Sequence, residues 1–253
     1  MDKKRVDEKE SIIDLDDFEE QVSLWQLIPA GKGEALQRLK LIVDAELNSK
    51  TQKENRRPLS LLISGKNGDK VLHAKAFLRA LGIEQIKKTS AQLAQNYNDL
   101  IEFFHLSTLD TGHIISGAQN MKGLIVKDLY NIVSQGVLTR WNYANMGKTG
   151  WPVLGPVIVT SYAQKAVPLE VREHFTHRVE IEDYSKAQLE QVCIQRLAYA
   201  NIAYEKRVPG LLTDLRNGYD SVIQLLRDSV LVMRAEGRKT LTEKDVIAAS
   251  AFD

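Results

Sequence analysis

The stretch Leu61–Leu78, LLISGKNGDKVLHAKAFL, holds a continuous apolar run, a glycine-rich turn, a lysine and then a helical pattern. Strand, glycine turn, lysine and helix are the parts of a phosphate-binding loop, in which backbone N–H groups and a helix N-terminus converge on an anion. The full pattern is G-x-x-x-x-G-K-[ST]: the lysine meets the terminal phosphates and the hydroxyl holds magnesium. Here Gly65, Lys66, Asn67, Gly68, Asp69, Lys70 and Val71 form a loop one residue shorter, with Asp69 in place of the second glycine and Val71 in place of the hydroxyl. An aspartate there sets a like charge against a polyanion, a cost of about 1–4 kcal/mol at partly solvated dielectric. Two readings stay open, a degenerate nucleotide loop held by Gly65, Gly68 and Lys70, and a plain strand-to-helix turn in which Asp69 caps the helix and Lys70 pairs with it.

Outward from this stretch, strands and helices alternate. Helical spacing runs through Gly33–Leu47, followed by a polar connector closed at Pro58. Strands are expected at Leu59–Ser64, near Gln85–Lys88, at His113–Ser116 and in VLGPVIVTS ending at Ser161, with helices at 69–81, 98–106 and 124–133 between them. Such alternation predicts an α/β domain with a parallel sheet flanked by helices on both faces. Beyond Asp183 only helical patterns continue, at 186–202, 210–215, 219–235 and after Thr242. The expected organisation is a flexible charged arm over 1–20, an α/β domain over 21–183 and a small all-α domain over 184–253.

Of 253 residues, 43% are hydrophobic and 26% charged, ordinary for a globular chain, and the net charge of +1 offers no global field for nucleic acid. The single cysteine, Cys193, lies in an apolar-periodic stretch and excludes an intrachain disulfide. No apolar run reaches the roughly 20 residues of a membrane helix, and the N-terminus lacks the apolar core of a signal peptide, so a cytoplasmic protein with no membrane partner is expected. The histidines are scattered; His174 and His177 in HFTH lack a third ligand, and no metal site is expected.

In landmark order the chain resembles the AAA+ ATPases, most closely the ATPase core, large domain plus lid, of the RuvB-type Holliday-junction branch-migration motors. LLISGKNGDK, KTSAQLAQNYNDLIEFF, MKGLIVKDLYNIV, PVIVTSYAQ, PLEVREHFTHRVEIEDYSKAQLEQV and LTEKDVIAAS carry the resemblance. It implies the AAA+ P-loop fold, and it also implies chemistry that the residues do not carry. The family's third strand ends in Asp-Glu, which orient magnesium and polarise the attacking water; the matching positions are Ser116 and Gly117. Asp110 sits at the other end of that strand. Thr160 and Ser161 match the polar sensor. The arginine finger falls on His174, with Arg172 two residues earlier as the alternative, and the lid arginine falls on Ser221, with Arg216 and Arg227 out of register. No catalytic residue can be named.

The segment VLTRWNYANMGKTGWPVLG is long enough for a β-hairpin and carries Arg140, Trp141, Tyr143, Met146, Lys148 and Trp151. In the resembling motors a hairpin at this place docks on the junction-recognising partner. Aromatics with flanking bases suit protein docking, stacking on single-stranded nucleic acid, or packing onto the domain. The motors continue past the lid into a winged-helix domain; this chain stops at Asp253, so autonomous duplex binding is not expected.

Three functions are carried forward. One is a non-catalytic pseudo-ATPase without cofactor, an interaction or assembly subunit in DNA recombination, repair or replication whose partners are other proteins, AAA+ subunits or a junction or replication factor. Another is a weak or partner-dependent ATPase binding ATP or ADP through Lys70. The third is a nucleic-acid adaptor acting through the 140–151 loop.

Overall fold

The computed structural model describes residues 14–15, 17–49, 58–66, 69–94, 96–121, 123–142 and 147–251. They divide into two compact units: an α/β unit, 22–185 with 218–220, and a helical unit, 186–217 and 221–251 joined by the N-terminal residues up to Gln21.

Ten α-helices and nine strands are found among these residues. The α/β unit is built from α2 (Glu34–Asn48), β1 (Ser60–Ser64), α3 (Lys70–Ala80), β2 (Gln85–Ser90), α4 (Tyr97–Phe104), β3 (Thr111–Ser116), α5 (Leu124–Gln135), a hairpin of β4 (Val137–Asn142) and β5 (Gly147–Pro152), β6 (Val157–Ser161), α6 (Leu169–Arg172) and β7 (His177–Glu180). Five strands form one sheet in the order β2-β3-β6-β1-β7, every pairing parallel. The expected parallel sheet is present. Its edge strand β7 was not anticipated, although Val179 and Ile181 are buried between exposed Arg178, Glu180 and Glu182, the two-residue alternation of a strand.

Alternation also explains why helices cover both faces. Leu62, Ile115, Val157 and Val159 join a core cluster with Leu100 of α4, Leu129 and Ile132 of α5 and Phe175. Leu61, Ile63, Ile114 and Ile158 face the opposite side and are fully buried. On that side α3 packs so closely that a side-chain carbon on Gly112 would lie 2.7 Å from Leu78 Cδ1. Burying apolar area on both faces at about 25 cal/mol per Å² is what holds these short strands together.

The helical unit consists of α7 (Lys186–Tyr199), α8 (Val208–Leu215), α9 (Tyr219–Ala235, whose first two residues belong to the α/β unit) and α10 (Glu243–Ala249), with a two-residue parallel pairing of β8 (Ala203–Tyr204) and β9 (Thr240–Leu241). It also takes α1 (Asp17–Gln21), which falls at the end of the expected arm over 1–20; residues 1–13 and 16 of that arm lie outside the described residues. Phe18 is buried with its ring edge-on to Tyr199 at 5.3 Å, and Arg196 lies 5.0 Å over the same ring. Glu19 Oε1 accepts from Arg196 Nη2 at 3.1 Å and from Arg227 Nη2 at 3.4 Å. A charge run reads as solvated until its one aromatic finds a pocket. Among the described residues no helix is long and apolar enough to cross a membrane.

Candidate functional site

The loop after β1 leaves the sheet where β6, β1 and β7 end together. Gly65 N donates to Ser161 O at 3.2 Å and Ile181 N to Ser64 O at 2.7 Å. Gly65 has φ +155°, and a Cβ there would stand 2.6 Å from the Ile181 carbonyl oxygen, so only glycine fits this crossing. Lys66 is exposed. Gly68 lies outside the described residues.

Asp69 holds the N-cap position of α3 but does not cap it, contrary to the expectation: its backbone is helical, φ −73° and ψ −1°, and no N–H of the first turn donates to its side chain. A capping carboxylate needs an extended backbone to swing back over those N–H groups. Instead Asp69 Oδ2 accepts a 2.5 Å hydrogen bond from Tyr184 Oη and lies 3.2 Å from His73 Nδ1, one helical turn on. His73 Nδ1 is also 3.1 Å from the Asp69 carbonyl oxygen. Both side chains are buried. Tyr184 in turn stacks on Tyr219 with ring centroids 5.6 Å apart.

Burial by itself would push the Asp69 carboxyl up, yet the His73 charge and hydrogen bond, the Tyr184 hydroxyl and Lys70 together hold it below its ordinary value. For His73 burial favours the neutral ring, and Asp69 outweighs it, lifting the imidazole above its ordinary range. Lys70 is held below its ordinary value by burial, against the pull of Asp69 and Asp220. The anion that a helix N-terminus favours is thus provided here by the chain itself. Sequence reading paired Asp69 with Lys70 and missed both His73 and Tyr184. The four-residue spacing of Asp69 and His73 was a usable signal, whereas Tyr184, 115 positions away, gave none.

At the tip of β3, Ser116 Oγ donates to the Thr89 carbonyl at 3.1 Å. Gly117, with φ +73°, opens a 3-10 turn over Ala118–Asn120. From that turn Gln119 Oε1 accepts from Ser161 Oγ and from Tyr162 N, each at 3.3 Å, bridging the ends of β3 and β6. Thr160 is buried opposite Ile63 of β1. Sheet register therefore brings Gly65 and Thr160 to one end of the sheet, beside a cavity of about 620 Å³ lined by Lys66, Tyr162, Arg38, Arg178 and Glu182. Among the described residues no group of three or more His, Cys, Asp or Glu is placed to hold a metal ion.

The arginines expected near a phosphate bind protein groups. Arg172 Nη1 donates to the Gln164 carbonyl at 3.3 Å, and the neighbouring His174 ring stands edge-on to Tyr130 at 4.8 Å. In the helical unit Ser221 is exposed, Arg216 Nη2 donates to Ser250 O at 3.5 Å, and Arg227 meets Glu19.

The segment 137–152 is the expected hairpin, with Arg140 opposite Thr149 and Trp141 opposite Lys148. Tyr143 and Met146 lie outside the described residues. Its base is seated on α5: Leu138 is buried, and Asn131 Nδ2 donates to Thr139 Oγ1 at 2.9 Å. Trp151 remains 42% exposed, one edge against Tyr97 at 6.2 Å.

No protein-family model matches the sequence, and no curated protein matches it. Solved structures do. A point-mutant form of Thermotoga maritima RuvB superposes with a TM-score of 0.71 at 13% identity, over 90% of this chain and 72% of that one. The Thermotoga maritima RuvB Holliday junction branch migration motor gives 0.66 at 13%, over 88% and 69%. The Aeropyrum pernix ORC2 protein, solved as ADPNP–ADP complexes, gives 0.59 at 15%, over 89% and 69%. Likeness at such identities is a likeness of fold, and the fold is the AAA+-type P-loop arrangement of a parallel sheet flanked by helices with a helical C-terminal region.

Proposed function

We propose that this AAA+-type chain is a non-catalytic interaction subunit, retained for assembly with other proteins in DNA recombination, repair or replication. The observation that carries it is the buried Asp69 carboxylate at the head of α3, paired with His73 and Tyr184 where the fold would bring a phosphate. The catalytic positions support it: Ser116 and Gly117 offer no general base within reach of a water, and Arg172 and Arg216 are bound to backbone carbonyls. The DNA-processing context rests on the likeness to a branch-migration motor, and we assign the cytoplasm as compartment.

The docking surface we propose is the β4–β5 hairpin, through Arg140, Trp141, Tyr143, Met146, Lys148 and Trp151. Its base is fixed on α5 and Trp151 is half exposed, which suits an anchor residue of an interface. No cofactor is required by this reading.

Thermal unfolding with and without millimolar ATP, ADP and magnesium tests it. The expected result is no shift with any nucleotide, since a ligand at 100 times its Kd would stabilise the protein by about 2.7 kcal/mol. Micromolar nucleotide binding in calorimetry would refute the reading in favour of a partner-dependent ATPase. Salt-sensitive binding of single-stranded DNA lost in Trp151→Ala would favour the nucleic-acid adaptor.

A further inference from the structure

An ionised carboxylate with 1% exposure is costly to bury unless its surroundings are rich in donors. Around Asp69 the Tyr184 hydroxyl and the His73 ring lie within hydrogen-bond distance of Oδ2 and the Lys70 charge acts on the carboxylate, at the start of an eleven-residue helix. A phenol, an imidazolium, an ammonium and a helix N-terminus are the donor set of an oxyanion site. Asp69 Oδ1, buried, has no hydrogen-bond partner among the described residues, and no first-turn N–H of α3 donates to the side chain. The carboxylate is therefore held by the side chains around it more than by the helix it heads.

We infer that Asp69 is the resident ligand of its own loop: its carboxylate takes the place of an exogenous oxyanion, and removing it uncovers a site for small oxyanions such as formate or inorganic phosphate. The inference rests on the non-catalytic reading and extends it, because it gives the buried carboxylate at the head of α3 a role of its own. The space vacated by Asp69→Ala is that of one carboxylate, with the His73 ring beside it, the Lys70 charge acting there and the Asp220 charge acting on Lys70.

The test is chemical rescue. Wild type and Asp69→Ala are melted in chloride buffer and in formate, acetate or phosphate at equal ionic strength. The wild-type melting temperature is expected to show only the small, unsaturating shift that each anion gives any folded protein. Asp69→Ala is expected to melt several degrees lower in chloride and to recover at least half of that loss, saturably, in formate or phosphate. Adding His73→Gln is expected to remove the recovery. A folded Asp69→Ala protein that shows no saturable recovery, or gains no more from formate or phosphate than the wild type does, overturns the inference. Should Asp69→Ala not fold, the isosteric Asp69→Asn serves, with the His73 ring followed by NMR: a fall of its titration midpoint supports the inference and an unchanged midpoint overturns it. Micromolar ATP binding by the wild type refutes the non-catalytic reading, whereas failed rescue in a folded variant refutes the resident ligand whichever way the ATP result falls.

Discussion

Tyr184→Phe removes one oxygen and keeps everything else. The ring can still stack on Tyr219, while the hydroxyl's 2.5 Å hydrogen bond to Asp69 Oδ2 is lost together with its 3.5 Å contact to the Ile28 carbonyl. Hydrogen bonds to charged groups contribute about 1.5–3 kcal/mol, and this acceptor is a buried carboxylate, so about 2–3 kcal/mol is expected. For a protein of this size each kcal/mol lowers the melting temperature by about 2–4 °C, which gives a loss of about 4–12 °C. Because Tyr184 and His73 share one oxygen, Tyr184→Phe and His73→Gln should be non-additive by more than the ~0.5 kcal/mol scatter of independent sites. The pH matters. Asp69 sits below its ordinary 3.8 in the folded state, so its contribution is present above about pH 4 and lost as pH falls through the folded value. His73 sits above its ordinary 6.5, so its contribution is whole below about pH 6.5 and fades as pH rises through the folded value. Melts by circular dichroism near pH 6 sample both at full strength, and the variant's acid limb should begin at higher pH than the wild type's. A melting temperature within 1 °C of wild type, or strictly additive effects, would refute the shared-oxygen cluster.

Three other outcomes follow from the geometry. Gly65→Ala forces a Cβ to within 2.6 Å of a carbonyl oxygen at φ +155°, and an urea titration should show a loss of about 1–3 kcal/mol. His113 is held down to about 4, first by burial and then by the Lys87 charge; the unfolded chain therefore binds a proton the folded one refuses, and stability should fall as pH drops from about 6.5 toward 4. NMR titration of the ring checks the midpoint, and His113→Leu should flatten that part of the acid limb. Glu19→Ala takes away the carboxylate facing the buried Arg196 and should cost the helical unit about 1–3 kcal/mol, measured by chemical denaturation and contradicted by an unchanged midpoint.

Legibility from sequence followed the amount of apolar patterning. β1, α3, α5 and β6 announce themselves because their residues are buried on a fixed period, and Tyr219–Ala235 matched to the residue. β7 has only Val179 and Ile181 to mark it, and α1 only Phe18, so a two-residue signal was lost among charges. In the candidate site, the departures from the motif could be read directly: Ser116 and Gly117 stand where the resemblance expects a carboxylate pair. The contacts around them were not visible, since Gln119 bridges to Ser161 across 42 positions and Tyr184 reaches Asp69 across 115. Long-range partners of polar groups leave no periodic trace in a single chain.

The ion pair of Glu19 with Arg196 spans 177 positions, with most of the α/β unit threaded between. During synthesis at about 5–20 residues per second, α1 leaves the ribosome roughly ten to forty seconds before α7. For that interval Phe18 has no pocket. Because the entropy of closing so long a loop falls only after the intervening chain has compacted, α1 is expected to join last. A segment that emerges ahead of the other described helices is then expected to dock after them, and a probe on Phe18 would report that late step.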